Sequence, residues 1–203
     1  MKFINETEFF NSIKSSGLGL DEDGRSLRFA DEDSAIGFDF ANLSIPDLST
    51  GVFEAASRES ATVERAMVAA AFGVLSALDL FPAMLYASDN EWLDEDLSGL
   101  VKGGVVTKEE AAALNVLSGG GRGMDVIILE KDEADTAVKI ITPQITALGT
   151  TCYAIGAGGR AVFRFSQDDE VSFNTTDAGI YEKAKKHVMS AGDFPFEIIW
   201  GEV

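Results

Sequence analysis

Cysteine and histidine each occur once, so the covalent chemistry that this chain could perform with them is narrow. Cys152 and His187 could together form a nucleophile and its general base. However, Cys152 falls in an apolar strand pattern and His187 near the predicted end of a helix, which favours a buried inert thiol and a histidine that complements the helix dipole. Zinc sites built from thiolates and imidazoles need more ligands than these two. No G-x-S-x-G elbow occurs either, so the sequence predicts no catalytic residue.

Residues 94–99 match the first six positions of a calcium-binding loop. Val105, however, occupies the twelfth position, where a bidentate glutamate is required. A capping pattern ahead of this segment also predicts that its acidic side chains lie on a helix. We therefore interpret Asp94, Glu95 and Asp96 as a solvated face and predict no metal site.

Residues 156–161 match the glycine pattern G-x-G-x-x-A, and Asp177 follows at the spacing of a dinucleotide site. That motif requires a helix to begin within it, so that backbone amides face the pyrophosphate. Residues 161–166 instead alternate between apolar and polar side chains, as a strand does. The segment is therefore predicted to be a hairpin turn, and no cofactor is expected.

Acidic side chains are the strongest remaining feature, because the chain carries 34 of them against 16 basic ones, a net charge of −18. A field of that sign repels nucleic-acid phosphates and anionic lipid and accelerates encounter with a basic protein. We therefore predict a basic protein partner, no nucleic acid and no membrane. The candidate partner-binding residues are Asp21, Glu22 and Asp23, then Asp31, Glu32 and Asp33, and finally Asp94, Glu95 and Asp96. Any one of these clusters is also typical of a solvated turn.

The leading functional hypothesis is an acidic cytoplasmic binding protein that inhibits a basic partner, as an immunity protein neutralises a toxin enzyme. Trp92, Tyr153 or Trp200 would serve as anchors if exposed. The cytoplasmic assignment is based on the single cysteine and the lack of an apolar signal core after Met1.

Two alternatives remain open, as does the oligomeric state. A hydrolase that uses carboxylates or a divalent cation would need convergent acids in a pocket, with at least one raised pKa. A structural or assembly subunit would pack its apolar helix, predicted over residues 61–79, against a partner.

The helices and strands that the sequence predicts, which must position these side chains, are those of an α+β fold. We expect an antiparallel sheet in the C-terminal half with flanking helices, and a helix-rich N-terminal half with a β-hairpin. Residues 118–123 are rich in glycine and predict a linker between subdomains 1–117 and 124–203, which could still pack as a single domain.

Local patterns predict the individual elements. Asn5 and Glu8 form a capping box for a first helix, and residues 26–30 and 35–40 are predicted to pair as the hairpin. Residues 66–87 are apolar enough to suggest a membrane span, but we interpret them as a buried core helix. Further strands are predicted over 124–130, 136–142, 150–155, 161–166, 171–174 and 196–200, with a last helix over 177–191.

Overall fold

A computed structural model describes residues 1–22, 24, 26–42, 53–88, 92, 97–118, 125–166 and 170–201, with backbone alone at 53–58, 116 and 118. The helices in this part of the chain are α1 (Glu6–Ile13), α2 (Phe53–Ala77), α3 (Ser98–Gly103), α4 (Lys108–Ser118), α5 (Ala134–Thr146) and α6 (Ala178–Ser190). The strands are β1 (Lys2–Ile4), β2 (Leu18–Leu20), β3 (Leu27–Phe29), β4 (Ile36–Ala41), β5 (Ala83–Ala87), β6 (Val126–Leu129), β7 (Cys152–Ile155), β8 (Ala161–Ser166), β9 (Glu170–Thr175) and β10 (Glu197–Trp200).

One large antiparallel sheet organises the molecule. Its eight strands lie in the order β1-β6-β5-β7-β8-β9-β4-β10, while β2 and β3 form a separate hairpin. Strands from both sides of residues 118–123 therefore belong to the same sheet. The predicted α+β class, with a large antiparallel sheet and flanking helices, is confirmed.

The main hydrophobic core lies between one face of this sheet and helices α2, α4, α5 and α6. Aromatic side chains from β4, β8 and β9 form its centre, and the rings of Phe38 and Phe173 stack with centroids 4.8 Å apart. Met67 and Leu75 of α2 are fully buried in the same core. Each such side chain contributes roughly 1.5–3 kcal/mol through burial, so α2 is held by the chain's own core.

A second, smaller core lies on the opposite face of the sheet. Here α1 and the β2–β3 hairpin cover strands β5, β6 and β7 and one residue of β8. Phe9 of α1 stacks on Tyr86 of β5 with ring centroids 5.2 Å apart. Asn5 and Glu8 form the predicted capping box that begins this helix, so its position is confirmed.

A partly buried ion pair joins α2 to α4, with Glu110 buried and the Arg65 side chain 30% exposed. Arg65 donates from Nε to Glu110 Oε1 at 2.6 Å and from Nη2 to Oε2 at 3.0 Å. The Thr107 amide also donates to Glu110 Oε2 at 2.7 Å, which closes the capping box of α4. Burial raises the pKa of Glu110, but the bonds from Arg65 and Thr107 outweigh burial and hold that pKa below its ordinary value.

The predicted pairing of residues 26–30 with 35–40 is wrong. β3 pairs instead with β2, whose Leu18-Gly19-Leu20 segment is too short to give a strand pattern. β4 pairs with β9 on one side and β10 on the other. The alternation of Phe38 and Phe40 places their rings in the main core, so burial favours the large sheet over a local hairpin.

The strand predicted over residues 136–142 is also wrong, because this segment lies inside α5. Its buried residues Ala137, Ile140, Ile141 and Ile145 recur at intervals of three and four, which is the spacing of one helix face. Threonine and isoleucine are typical of strands, but packing on α2 and α4 overrides that preference.

The apolar stretch 66–87 contains two elements instead of one helix. α2 ends at Ala77, a cis peptide bond joins Phe81 to Pro82, and the strand β5 follows. Every residue of β5 is buried, which explains the continuous apolar run. Within the described residues, no helix is long and apolar enough to cross a membrane.

Candidate functional site

The acidic candidates of the N-terminal half lie around the β2–β3 hairpin. Glu22 lies in the turn at one end of the hairpin, and Asp31, Glu32 and Asp33 follow β3 at the other end; all four are exposed. Asp21 is half-buried, and its Oδ1 accepts from the Ser26 amide at 3.2 Å, so it has a structural role in the turn. The candidates Asp23, Asp94, Glu95 and Asp96 lie outside the described residues.

A groove of about 880 Å³ runs between α1 and the hairpin. Its lining includes the apolar side chains of Phe10 and Leu20, of which Leu20 is 38% exposed. It also carries charges of both signs, and Arg28 Nη1 lies 3.3 Å from Glu32 Oε1. This groove therefore offers apolar contact beside an acidic rim.

A second cavity, of about 360 Å³, lies on the other side of β3, between the hairpin and strands β7, β8 and β9. We call it the hairpin pocket. Its lining residues are Ser26, Leu27, Arg28, Phe29, Glu32, Ala35, Tyr153, Val162, Arg164, Ser172 and Asn174. The hairpin thus separates a wide, mixed groove from a narrower pocket whose floor is the sheet.

The polar floor of the hairpin pocket belongs to one row across the sheet. Tyr153 pairs with Arg164, Arg164 with Ser172, and Ser172 with Asp39. Directly paired residues of antiparallel strands project from the same face. The register therefore sets a phenol, a guanidinium, a hydroxyl and a carboxylate side by side.

One buried group and one half-buried group of this row have no close partner among the described residues. Tyr153 is 1% exposed, and its hydroxyl has no hydrogen-bond partner. The half-buried Arg164 forms no ion pair with any residue that the structure describes. A buried polar group without a partner costs about 1–3 kcal/mol, which makes this floor a place where a ligand can supply the missing acceptor.

Asp39 is a carboxylate of this row, and its surroundings raise its pKa. Burial raises the pKa of Asp39, and the nearby negative charge of Glu170 acts in the same direction. A hydrogen bond with Ser172 and the charge of Arg164 lower that pKa without cancelling the rise. Ser172 donates its hydroxyl proton to Glu170 Oε1 at 2.6 Å, so one hydroxyl lies between the two acids.

The other sequence candidates do not supply an exposed anchor or a reactive group. Cys152 is fully buried, and burial raises the pKa of its thiol well above the ordinary value, as expected for an inert cysteine. Trp92 is 4% exposed and donates from Nε1 to the Asp125 carbonyl at 2.8 Å, so it is not an exposed anchor. Tyr153 is buried as well, and Trp200 is half-buried.

The glycine motif forms a turn. Residues 156–161 join β7 to β8 as the predicted hairpin connection, with Gly158 and Gly159 at positive φ. Where the chain is described, no three side chains among His, Cys, Asp and Glu come together as metal ligands.

Sequence reasoning missed Arg164, Asn174 and Asp39 as site residues. The available signal was a single charged residue inside an otherwise apolar strand, as at Arg164 in β8 and Asp39 in β4. No family model matches the chain, and comparison with curated proteins and with solved structures finds no match.

Proposed function

We propose that this protein is an acidic binding protein that docks a basic partner protein and inhibits it in the cytoplasm, as an immunity protein neutralises a toxin enzyme. The supporting observation is that Glu22, Asp31, Glu32 and Asp33 are exposed at the two ends of one small hairpin. We call these four residues the acidic hairpin surface. Clustered carboxylates steer a basic partner and accelerate its encounter.

The groove beside this surface supports a specific contact in addition to long-range attraction. Leu20 is 38% exposed there, and Phe10 lies half-buried in the same groove. Interfaces commonly place an apolar centre inside a polar rim. A basic partner would therefore meet the acidic residues first and bury Leu20 on docking.

Neutralising the acidic hairpin surface is expected to release the partner. We would make Glu22→Gln, Asp31→Asn and Asp33→Asn together, leaving Glu32 because it pairs with Arg28. Tagged protein would capture partners from the native lysate at about 50 mM and about 500 mM salt, since screening differs strongly between them. We expect one stoichiometric basic protein on the wild type at low salt, with association slowed roughly tenfold or more in the triple variant.

The matched control carries the same loss of charge elsewhere. Asp132→Asn, Glu182→Gln and Asp193→Asn remove three equally exposed acids away from the hairpin. We expect this control to capture the same basic protein as the wild type and to abolish the activity of that protein. Equal losses of partner capture in both triple variants would show that only net charge matters. That result would reject the acidic hairpin surface as the binding site.

A second candidate function, a carboxylate-dependent hydrolase, is favoured by the raised pKa of Asp39 beside Glu170. A carboxyl group whose pKa is raised toward the working pH is suited to general acid–base work. Ser172, which pairs with Asp39, donates to Glu170 two residues earlier in β9 and would orient this second carboxylate.

Asp39→Asn decides this candidate. If Asp39 transfers a proton, hydrolysis of para-nitrophenyl acetate, assayed with and without magnesium, should fall about 100-fold or more in the variant. Asp33→Asn, at an exposed position, is the control and should retain the wild-type rate. Equal rates in wild type and Asp39→Asn would remove this function.

A further inference from the structure

We propose that the hairpin pocket binds a small organic carboxylate. Its volume of about 360 Å³ falls within the range of roughly 300–1,000 Å³ that is usual for small-molecule sites. This site goes beyond the docking of a protein on the acidic hairpin surface, because the pocket has its own polar floor on strands β7, β8 and β9.

The floor supplies hydrogen-bond donors at adjacent positions. Arg164 lies between Tyr153 and Ser172 in the register of the sheet, and Asn174 follows on the same face of β9. The Tyr153 hydroxyl is buried without a partner, and Arg164 is without an ion pair among the described residues. Because buried polar groups are nearly always hydrogen-bonded, the Tyr153 hydroxyl calls for an acceptor that the described chain does not provide. The half-buried Arg164 acts on Asp39 through its charge and can also donate to a ligand in the pocket.

The walls of the pocket are apolar. Leu27 and Phe29 of the hairpin face Val162 of β8, and all three side chains are less than 6% exposed. Ala35 also lines the pocket. A ligand whose acceptor binds the floor would therefore pack a short aliphatic or aromatic group against these apolar side chains.

The charges around the pocket favour a carboxylate over a phosphate. Two arginines line the pocket, the exposed Arg28, which pairs with Glu32, and the half-buried Arg164. A guanidinium donates two parallel hydrogen bonds to a planar carboxylate, and Arg164 is the one on the floor that can do so. Glu32 lines the same pocket, and Glu170 and Asp39 flank Ser172. These acids repel a dianion more strongly than a monoanion, so a singly charged ligand is the better fit.

Phenylacetate is a suitable probe, because it joins one carboxylate to one apolar ring. We expect saturation-transfer NMR and calorimetry to detect its binding to the full chain, and Arg164→Gln to weaken that binding by roughly tenfold or more. Arg160→Gln is the matched control, since Arg160 is an exposed turn residue next to β8 that does not line the pocket. It removes the same charge and should leave the affinity unchanged.

Tyr153→Phe tests the pocket through a variant that removes a single oxygen atom. The hydroxyl has no partner, so the variant should keep the wild-type melting temperature while binding phenylacetate severalfold more weakly. Phenylacetamide, which lacks the charge, should bind more weakly than phenylacetate. The assignment is overturned if phenylacetate does not bind at millimolar concentration, if Arg164→Gln and Arg160→Gln bind it equally, or if inorganic phosphate binds more tightly.

Discussion

Replacing Glu110 with alanine is expected to lower the free energy of unfolding by about 3 kcal/mol, because it leaves Arg65 without its partner inside the α2–α4 contact. The change also removes the acceptor of the Thr107 amide and so the capping box of α4. Chemical denaturation at neutral pH, followed by circular dichroism, measures the loss. Glu109→Ala, at the neighbouring exposed position, is the matched control and should cost less than about 1 kcal/mol.

The stability difference between wild type and Glu110→Ala should also depend on pH. The pKa of Glu110 lies below its ordinary value of 4.5 in the folded chain, so the folded state favours the ionised carboxylate. This stabilisation is fully present above about pH 4.5 and is lost as the pH falls through the lowered folded pKa. The free energies of unfolding of the wild type and Glu110→Ala should therefore approach each other as the pH falls. A difference that stays constant with pH would show that the ion pair does not cause it.

Replacing Gly37 with alanine is expected to cost about 3 kcal/mol or more, because a Cβ atom there would overlap the carbonyl oxygen of Phe173 on the paired strand. The same atom would lie 2.9 Å from Asn174 Oδ1, a residue of the hairpin pocket. Backbone atoms within a sheet cannot move aside without losing the ladder between β4 and β9. The variant should therefore melt at a clearly lower temperature and bind phenylacetate more weakly.

Gly19→Ala is the matched control for this substitution, because Gly19 also lies in a strand and a Cβ atom added there would have no neighbour within 4 Å. We expect its melting temperature to stay close to that of the wild type, since alanine restricts the unfolded chain and introduces no clash. If both glycine variants melt alike, close approach of β4 to β9 is not what requires glycine at position 37.

Local patterns predicted the elements whose determinants lie close together in the chain. The capping box of α1, the strand β8 and the turn between β7 and β8 each depend on a few neighbouring residues. The pairing of β3 with β2 could not be derived in this way, because a three-residue strand carries no measurable alternation. α5 shows the same limit, since a short segment of β-branched residues fits a strand or a helix equally well.

The candidate pocket was harder to predict from the sequence than the fold. Arg164 and Asp39 stand out only as charged residues in apolar strands, and no local pattern indicates that Asp39 of β4 will lie beside β9. The row of polar side chains arises from the register of three consecutive strands, β7 to β9, with the distant strand β4. The net charge, by contrast, can be counted from the sequence without the fold. It therefore led to the prediction that acidic clusters form the site.

The position of β4 within the sheet also bears on how the chain folds. This strand, at residues 36–41, is flanked by β9 at residues 170–175 and β10 at residues 197–200. Its two hydrogen-bonding edges therefore stay open until those distant segments arrive, and closing such long loops slows folding. During synthesis, the Phe38–Phe40 segment would stay exposed until those strands are made, and slowing the final pairing should increase aggregation more than it lowers equilibrium stability.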